Sequence, residues 1–347
     1  MNPTRVMVVE DSPTVRALLC EIISHDPRLQ VCAAAKSGEE ALRLLERTAP
    51  DVVSLDIQLP GMNGLEVAER IMSRRPTPIV VIAASDTACE QALSVQALAA
   101  GALSVVEKPR GLSTEAYYAL AGKICTQLAI MSQVRVVRQR SRQAARPWRT
   151  APPSSGKIEA LGIVCSTGGP PALVKIFSSL GERFPAPILL VQHITPSFLP
   201  GFASWLAGAC PFAVEIVSAS TTLRPGVIYV AAPELHLRAS RSAAYAVRGE
   251  PVAGHRPSGS VLFESLAEEL GSRAIGVLLT GMGEDGAEGL LALKKAGGYT
   301  LAESESTAVV YGMPAAAVLL DAVRESLPLD AIAARLKELI TFDAVAV

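Results

Sequence analysis

Aromatic residues are scarce in this chain of 347 residues, at 4%, although half of all residues are hydrophobic. Its cores therefore have to be built from Ala, Val, Leu and Ile, which suits layered α/β architecture with strands buried on both faces. Net charge is nearly absent as well. The formal value is −1, so nothing global favours nucleic acid or an anionic membrane surface as a partner. The six cysteines (Cys20, Cys32, Cys89, Cys125, Cys165, Cys210) include no C-x-x-C pair and no metal-ligand spacing. They read as reduced, mostly buried cytosolic thiols, not as a disulfide framework or a zinc site. No apolar run approaches transmembrane length, and the opening "MNPTRVMVVEDS" has no signal-peptide core. The expectation is a soluble cytoplasmic protein.

At this length two domains are expected. Residues 133–156, "QVRVVRQRSRQAARPWRTAPPSSG", hold six arginines, no acid and a Pro/Ser/Gly tail. This reads as a helix fraying into an exposed linker, with a basic patch for an acidic partner as the sharper alternative. Before it, "RVMVVE", "QVCAAA", "DVVSLD", "PIVVIAA" and "SVVE" alternate with helical segments starting near Ser12, Glu39, Leu65 and Ala88, and a last helix follows. After it, "ALGIVC", "PILLVQH", "VEIVS", "GVIYVAA" and "IGVLLTG" resume the alternation. The expected fold class is α/β: two doubly wound parallel-sheet domains, a flavodoxin-like one over residues 1–125 and a larger Rossmann-like one over 157–347, joined by an Arg-rich linker at 126–156.

In an open parallel sheet, functional groups collect at the C-terminal ends of the strands. Glu10 and Asp11 end the first strand and Asp56 the third, so carboxylates converge there. Such a cluster repels itself unless a hard cation such as Mg²⁺ sits among them. Lys108, in "VVEKP" after the fifth strand, adds an ammonium to the same pocket. Asp11 by itself also reads as a helix cap, but a cap does not explain acids and a lysine after different strands. With "VVEDS", "DVVSLDIQLPGMNGLE" and "EKP" in these places, residues 5–125 resemble the receiver domain of two-component response regulators. The resemblance implies that Asp56 accepts a phosphoryl group from a histidine kinase. It also implies that Glu10, Asp11, Asp56 and the Gln58 backbone carbonyl hold Mg²⁺, and that Lys108 meets the phosphoryl group. Two positions depart from that family. In "PIVVIAAS", Ala84 stands where a Ser or Thr usually bonds the phosphate, with Ser85 one residue late, and Val105 replaces the usual switch aromatic. Phosphorylation is expected to proceed but to couple weakly to a change of shape.

Residues 162–172, "GIVCSTGGPPA", place Ser166 on a tight turn between an apolar run and a helix opened by two prolines. Such a turn cradles a phosphate, caps a helix or presents an exposed nucleophile. His193 ends "PILLVQH", and Asp285 lies in "LLTGMGEDGAEG" after the strand "AIGVLL". If these strands are parallel, the three side chains share one rim. Hydroxyl, imidazole and carboxylate are the groups that acyl transfer needs, and the glycines of "STGG" and "GMG" leave backbone N–H groups free for an oxyanion. Of the four histidines, His25 reads as surface, while His236 in "APELHL" and His255 in "GHRPS" rival His193 as the base. A structural histidine and a turn aspartate remain the alternatives for His193 and Asp285.

Through "LGIVCSTGGPPAL", "VQHITPSFLPGFASWL", "LRPGVIYVAAPELHL", "GHRPSGSVLFESLA" and "VLLTGMGEDGAEGL", residues 158–342 resemble the catalytic domain of the chemotaxis-specific protein-glutamate methylesterases. That family usually carries a receiver ahead of it. The resemblance implies Ser166 as nucleophile, His193 as base, Asp285 as its orienting partner, the Met282 N–H as oxyanion donor and Thr167 beside that hole, with no cofactor at the esterase site. It further implies hydrolysis of γ-glutamyl methyl esters on methyl-accepting chemoreceptors, deamidation of receptor glutamines, and a receiver that covers the rim until Asp56 is phosphorylated. No nucleic acid or membrane insertion is expected. Ser260 stands where the family commonly has Asp, and either residue caps the following helix. Rival readings are an esterase serving a receptor array outside motility, a phosphorylation-gated binding module, and a DNA-binding regulator. The last lacks a basic helical output domain, because the arginines sit in the linker.

Overall fold

The structure is a computed structural model that describes residues 2–84, 87–109, 114–134, 157–182 and 184–341. The chain divides into two compact units, residues 1–141 and 142–347. In the first, strands β1 (Thr4–Val9), β2 (Leu29–Ala35), β3 (Val52–Leu55), β4 (Ile79–Ala83) and β5 (Ser104–Glu107) alternate with helices α1 (Pro13–His25), α2 (Gly38–Thr48), α3 (Gly64–Arg74), α4 (Ala88–Ala99) and α5 (Thr114–Met131). The helix starts follow from capping side chains: Ser12, Ser37, Asn63 and Thr87 each accept a backbone N–H from the first turn of α1 to α4. Ser12, not Asp11, is thus the cap of α1, and Asp11 is exposed beside the end of β1. Helix α5 continues to Met131, past residue 125. The Arg-rich residues 135–156 and Ser85 lie outside the described residues.

The sheet order is β2-β1-β3-β4-β5, with every pair parallel. Val6 to Val9, Val52, Val53, Leu55 and Ile79 to Ile82 are all buried, as strands covered on both faces by crossover helices must be. The winding reverses between β1 and β3, the place where such sheets open a crevice at their carboxyl ends.

The second unit runs β6 (Ala160–Cys165), α6 (Gly169–Leu180), β7 (Ile188–Gln192), α7 (Leu199–Ala209), β8 (Ala213–Val217), β9 (Ser220–Thr222), β10 (Val227–Ala231), β11 (His236–Ala239), β12 (Ala243–Val247), α8 (Gly259–Glu269), β13 (Ala274–Leu278), α9 (Ala287–Lys295), β14 (Tyr299–Glu303), α10 (Met313–Leu319), β15 (Glu325–Leu327) and α11 (Leu329–Thr341). Seven strands form a wholly parallel sheet in the order β15-β14-β13-β6-β7-β10-β8. Its winding reverses between β6 and β13. Strands β11, β12 and β9 form a separate antiparallel sheet. Sequence reasoning missed that sheet because its strands are three to five residues long and rich in Ser, Thr, Arg and Ala, with no apolar run to mark them. It also passed over β14 and β15 on the far side of the large sheet.

Helices α8 and α9 approach backbone to backbone. A Cβ on Gly289 would lie 2.4 Å from the Ser260 carbonyl oxygen. This close packing brings the start of α8 against the turn that precedes α9. The five cysteines whose side chains are described are all free, but only Cys125 and Cys165 are buried. Cys20, Cys32 and Cys210 are half-buried. No helix among the described residues is long and apolar enough to cross a membrane.

Candidate functional site

Ser166, His193 and Asp285 meet at the carboxyl edge of the large sheet, and register explains the first two. Strands β6 and β7 pair in parallel with Cys165 opposite Gln192, so Ser166 and His193 are the next residues out on neighbouring strands. Their backbones are fastened there: His193 N donates to Cys165 O, and Ser166 N to Thr280 O just beyond β13, both at 3.0 Å. Between them the buried Gln192 amide donates to the carbonyls of Ser166 and His193, each at 3.0 Å, while its oxygen accepts from the Cys165 thiol. Ser166 is half-buried, and not exposed as its turn suggested.

Asp285 arrives from the turn between β13 and α9 and is buried. Its carboxylate lies on the N-terminus of α8. Oδ1 accepts from the Ser258 hydroxyl at 2.6 Å and from Ser260 N at 3.2 Å, and Oδ2 accepts from Gly259 N at 2.6 Å. The fourth donor is His193 Nε2, 2.8 Å from Oδ2. Gly259 has to lack a side chain, since a Cβ there would sit 2.3 Å from Val164 on β6. Burial pushes the Asp285 carboxyl up, but the His193 bond and charge, the Ser258 hydroxyl and the Gly259 N–H outweigh it and bring the value down to about 2. Asp285 is therefore an ionised, acceptor-only group, and the proton shared with His193 resides on Nε2. The other ring nitrogen, Nδ1, is buried and has no hydrogen-bond partner. It is the free lone pair of the site.

The rival histidines have other tasks. His236 is buried, accepts the Ser258 N–H on Nδ1 at 3.2 Å and donates from Nε2 to Glu250 O at 2.9 Å, so it braces Ser258. His255 stacks on His193. His25 is a surface residue. Ser260 does not cap α8, because Ser258 holds that position. The Ser260 hydroxyl instead accepts Gly286 N at 3.0 Å, tying α8 to the start of α9. The Thr167 and Met282 N–H groups donate to no group among the described residues. Their loops are pinned by Thr280, whose hydroxyl donates to Thr167 O at 2.9 Å and whose N–H donates to the buried Glu303 at 3.0 Å. Gln192, Ser258 and Glu303 escaped sequence reasoning, and His236 was read only as a rival base. Each acts by bracing a backbone group or a neighbouring side chain, a role that its residue type does not announce.

In the first unit, Val9 pairs with Leu55, which sets Glu10 and Asp56 side by side past the strand ends. Carboxylate oxygens of Glu10, Asp11 and Asp56 lie within 4.8 Å of one another. Lys108 Nζ stands 2.7 Å from Asp56 Oδ2 and 2.9 Å from Glu10 Oε2, with all three side chains buried. At these distances the ammonium is both ion partner and hydrogen-bond donor to the two oxygens. Burial pushes both carboxyls up, and Lys108 pulls them back. Three carboxylates outnumber that one ammonium, and an all-oxygen donor set of this kind fits a hard divalent cation. The Gln58 carbonyl accepts no bond among the described residues, while its N–H donates to Asp56 Oδ1 at 3.2 Å. Ala84 directly follows β4, and Val105 on β5 pairs with Val81 on β4, both buried. Neither brings a hydroxyl or an aromatic ring.

Residues 161–336 match the family model described as CheB methylesterase, and residues 6–114 the one described as response regulator receiver domain. The chain is 51% identical over 341 residues to protein-glutamate methylesterase/protein-glutamine glutaminase 2 of Paramagnetospirillum magneticum, covering 96% of this chain and 97% of that protein. It is 42% identical over 335 residues to protein-glutamate methylesterase/protein-glutamine glutaminase 3 of Anaeromyxobacter dehalogenans, covering 96% and 98%. The crystal structure of the Thermotoga maritima CheB methylesterase catalytic domain is similar at 33% identity and a TM-score of 0.50, over 54% of this chain and all of that one.

The depressed Asp285 value carries a stability consequence. A carboxyl at about 2 when folded and near its ordinary value of 3.8 when unfolded contributes about 2 kcal/mol above pH ~4, lost as the pH falls through ~2. Urea unfolding of the second unit should lose that increment across this window. Asp285→Asn should remove the slope, and an unchanged slope in the variant would reject Asp285 as its source.

Proposed function

The chain belongs to the protein-glutamate methylesterase/protein-glutamine glutaminase family, and from that premise we propose that it hydrolyses γ-glutamyl methyl esters on the cytoplasmic domains of chemoreceptors and deamidates receptor glutamines at the same site. The observation that carries this reading is the His193–Asp285 pair beside Ser166, with Nε2 bonded to the carboxylate and Nδ1 free. In the reaction, His193 Nδ1 takes the Ser166 hydroxyl proton as Oγ attacks the ester carbonyl carbon. The resulting oxyanion is met by the free N–H groups of Met282 and Thr167. Collapse breaks the C–O bond to methanol, and His193 returns the proton to the departing methoxide oxygen. Water, deprotonated at Nδ1 in turn, then cleaves the Ser166 ester to release the glutamate carboxylate. For a glutamine the leaving group is ammonia and the steps are otherwise the same. Asp285 stays ionised throughout, holding the Nε2 proton and stabilising the imidazolium.

Regulation is assigned to the first unit. Asp56 is the acceptor of a phosphoryl group from a histidine kinase, and Glu10, Asp11, Asp56 and the Gln58 carbonyl would hold Mg²⁺. When bound, the cation supplies charge neutralisation for the incoming phosphoryl group. Lys108, already on Asp56, would pair with the phosphoryl oxygens. Phosphorylation relieves inhibition of the esterase by the receiver, and Ala84 and Val105 make that relief partial. A ligand shifts a two-state balance only by what it binds better in one state, and neither residue offers the phosphoryl group a new bond.

Ser166→Ala should abolish methanol release from a methylated receptor, by more than about a thousandfold, without moving the thermal midpoint. Activity above that level would assign the nucleophile elsewhere. Acetyl phosphate with Mg²⁺ should raise methanol release by the intact chain, but not in Asp56→Asn, and by less than removal of residues 1–156 does. A phosphorylated chain that equals or exceeds residues 157–347 would overturn the partial switch.

A further inference from the structure

One side-chain bond, from Nε2 to Asp285, holds the His193 ring, and the opposite nitrogen has no partner. The final torsion of a histidine is broad and not sharply staggered. A single bond at Nε2 therefore leaves the plane of the ring, and the direction of the Nδ1 lone pair, weakly determined. The His255 ring lies flat on His193, with centroids 3.9 Å apart and planes within 3°. Two parallel faces at van der Waals distance restrict the rotation that the Nε2 bond permits.

His255 is itself firmly mounted. It closes a tight hairpin in which Val252 N donates to His255 O at 3.1 Å and His255 N to Val252 O at 2.9 Å. Ala253 and Gly254 both take positive φ, 50° and 77°, as a two-residue turn of this kind requires. The following Arg256 donates to Gly249 O at 2.8 Å and pairs with Glu234. Ser258, three residues after His255, donates to Asp285. Residues 252–259 thus brace both the imidazole and the carboxylate from one continuous segment.

We propose that His255 is a positioning residue of the esterase, its ring fixing the plane of His193 so that Nδ1 is directed at Ser166. The proposal rests on the assignment of Ser166 and His193 as nucleophile and base. The stack is also compatible with the chemistry. Burial, then the neighbouring His193, hold His255 below the ordinary histidine value, with Asp285 acting the other way. His255 therefore remains neutral while His193 carries the proton taken from Ser166.

The test is steady-state methanol release from a methylated receptor fragment by the full chain, comparing wild type, Ser166→Ala, His255→Ala, His255→Leu and His255→Phe, with thermal midpoints for each. Leu keeps the volume without the flat face, so it carries the test even if His255→Ala unfolds. The expected result is a fall in kcat of about ten- to a hundredfold in His255→Leu and His255→Ala, with KM unchanged, and recovery of most of that loss in His255→Phe. Wild-type turnover in His255→Leu, a Phe variant no better than Leu, or a loss confined to KM would each overturn the proposal. An active Ser166→Ala would locate the failure in the nucleophile assignment, and a wild type inactive even with acetyl phosphate and Mg²⁺ would locate it in the proposed activity; the positioning role would fall with either.

Discussion

The Asp285 carboxylate is the buried charge on which the second unit's chemistry depends. An ionised carboxylate removed from water costs several kcal/mol unless its lone pairs are filled, and here four donors fill them: the Ser258 hydroxyl, two N–H groups of the α8 N-terminus and His193 Nε2. Charge-assisted bonds and the positive end of a helix both favour the ionised form. The donors come from different parts of the chain, so the carboxylate can be satisfied only when α8, the β13–α9 turn and the end of β7 have come together. Its saturation also decides the chemistry. With Asp285 confined to accepting, the proton must sit on Nε2, and the base must be Nδ1.

The carboxyl edge of the first sheet shows the opposite condition. Glu10, Asp11 and Asp56 cluster together, and the Lys108 ammonium pairs with Glu10 and Asp56 while Asp11 has no ion pair among the described residues. The same edge of the same kind of sheet thus yields two kinds of acid. One is complete and fixed, suited to orienting a histidine. The others are undercompensated, suited to a cation and an added phosphoryl group. In both units the groups stand where the winding of the sheet reverses, between β1 and β3 and between β6 and β13, the position at which neighbouring crossovers diverge and leave the strand ends open.

Much of this was legible from apolar runs and the residues that end them. Ser166, His193, Glu10 and Asp56 each follow a buried strand, and parallel register converts that pattern into proximity. Asp285 was legible as a strand-end acid but not its cradle, because two of the four donors are backbone N–H groups and carry no sequence signature. The same holds for Gly259, which is small because Val164 leaves no room for a Cβ. Ser260 was misassigned as the cap of α8, since two serines stand two residues apart and only the helix start distinguishes them. His236 and His255 were indistinguishable from His193 as bases until geometry gave one to Ser258 and laid the other on the His193 ring. The small antiparallel sheet left no trace, because alternation over three to five residues is too short to read.

The most direct test of this account is the tautomer of the neutral His193 ring, read from long-range nitrogen–proton correlations in the ¹⁵N-histidine-labelled chain and assigned through His193→Gln. The account predicts a proton on Nε2 and a bare Nδ1, with that preference lost in Asp285→Asn. A neutral ring protonated on Nδ1 in the wild-type chain would contradict it, since the nitrogen assigned as the base would then have no lone pair to accept the Ser166 proton.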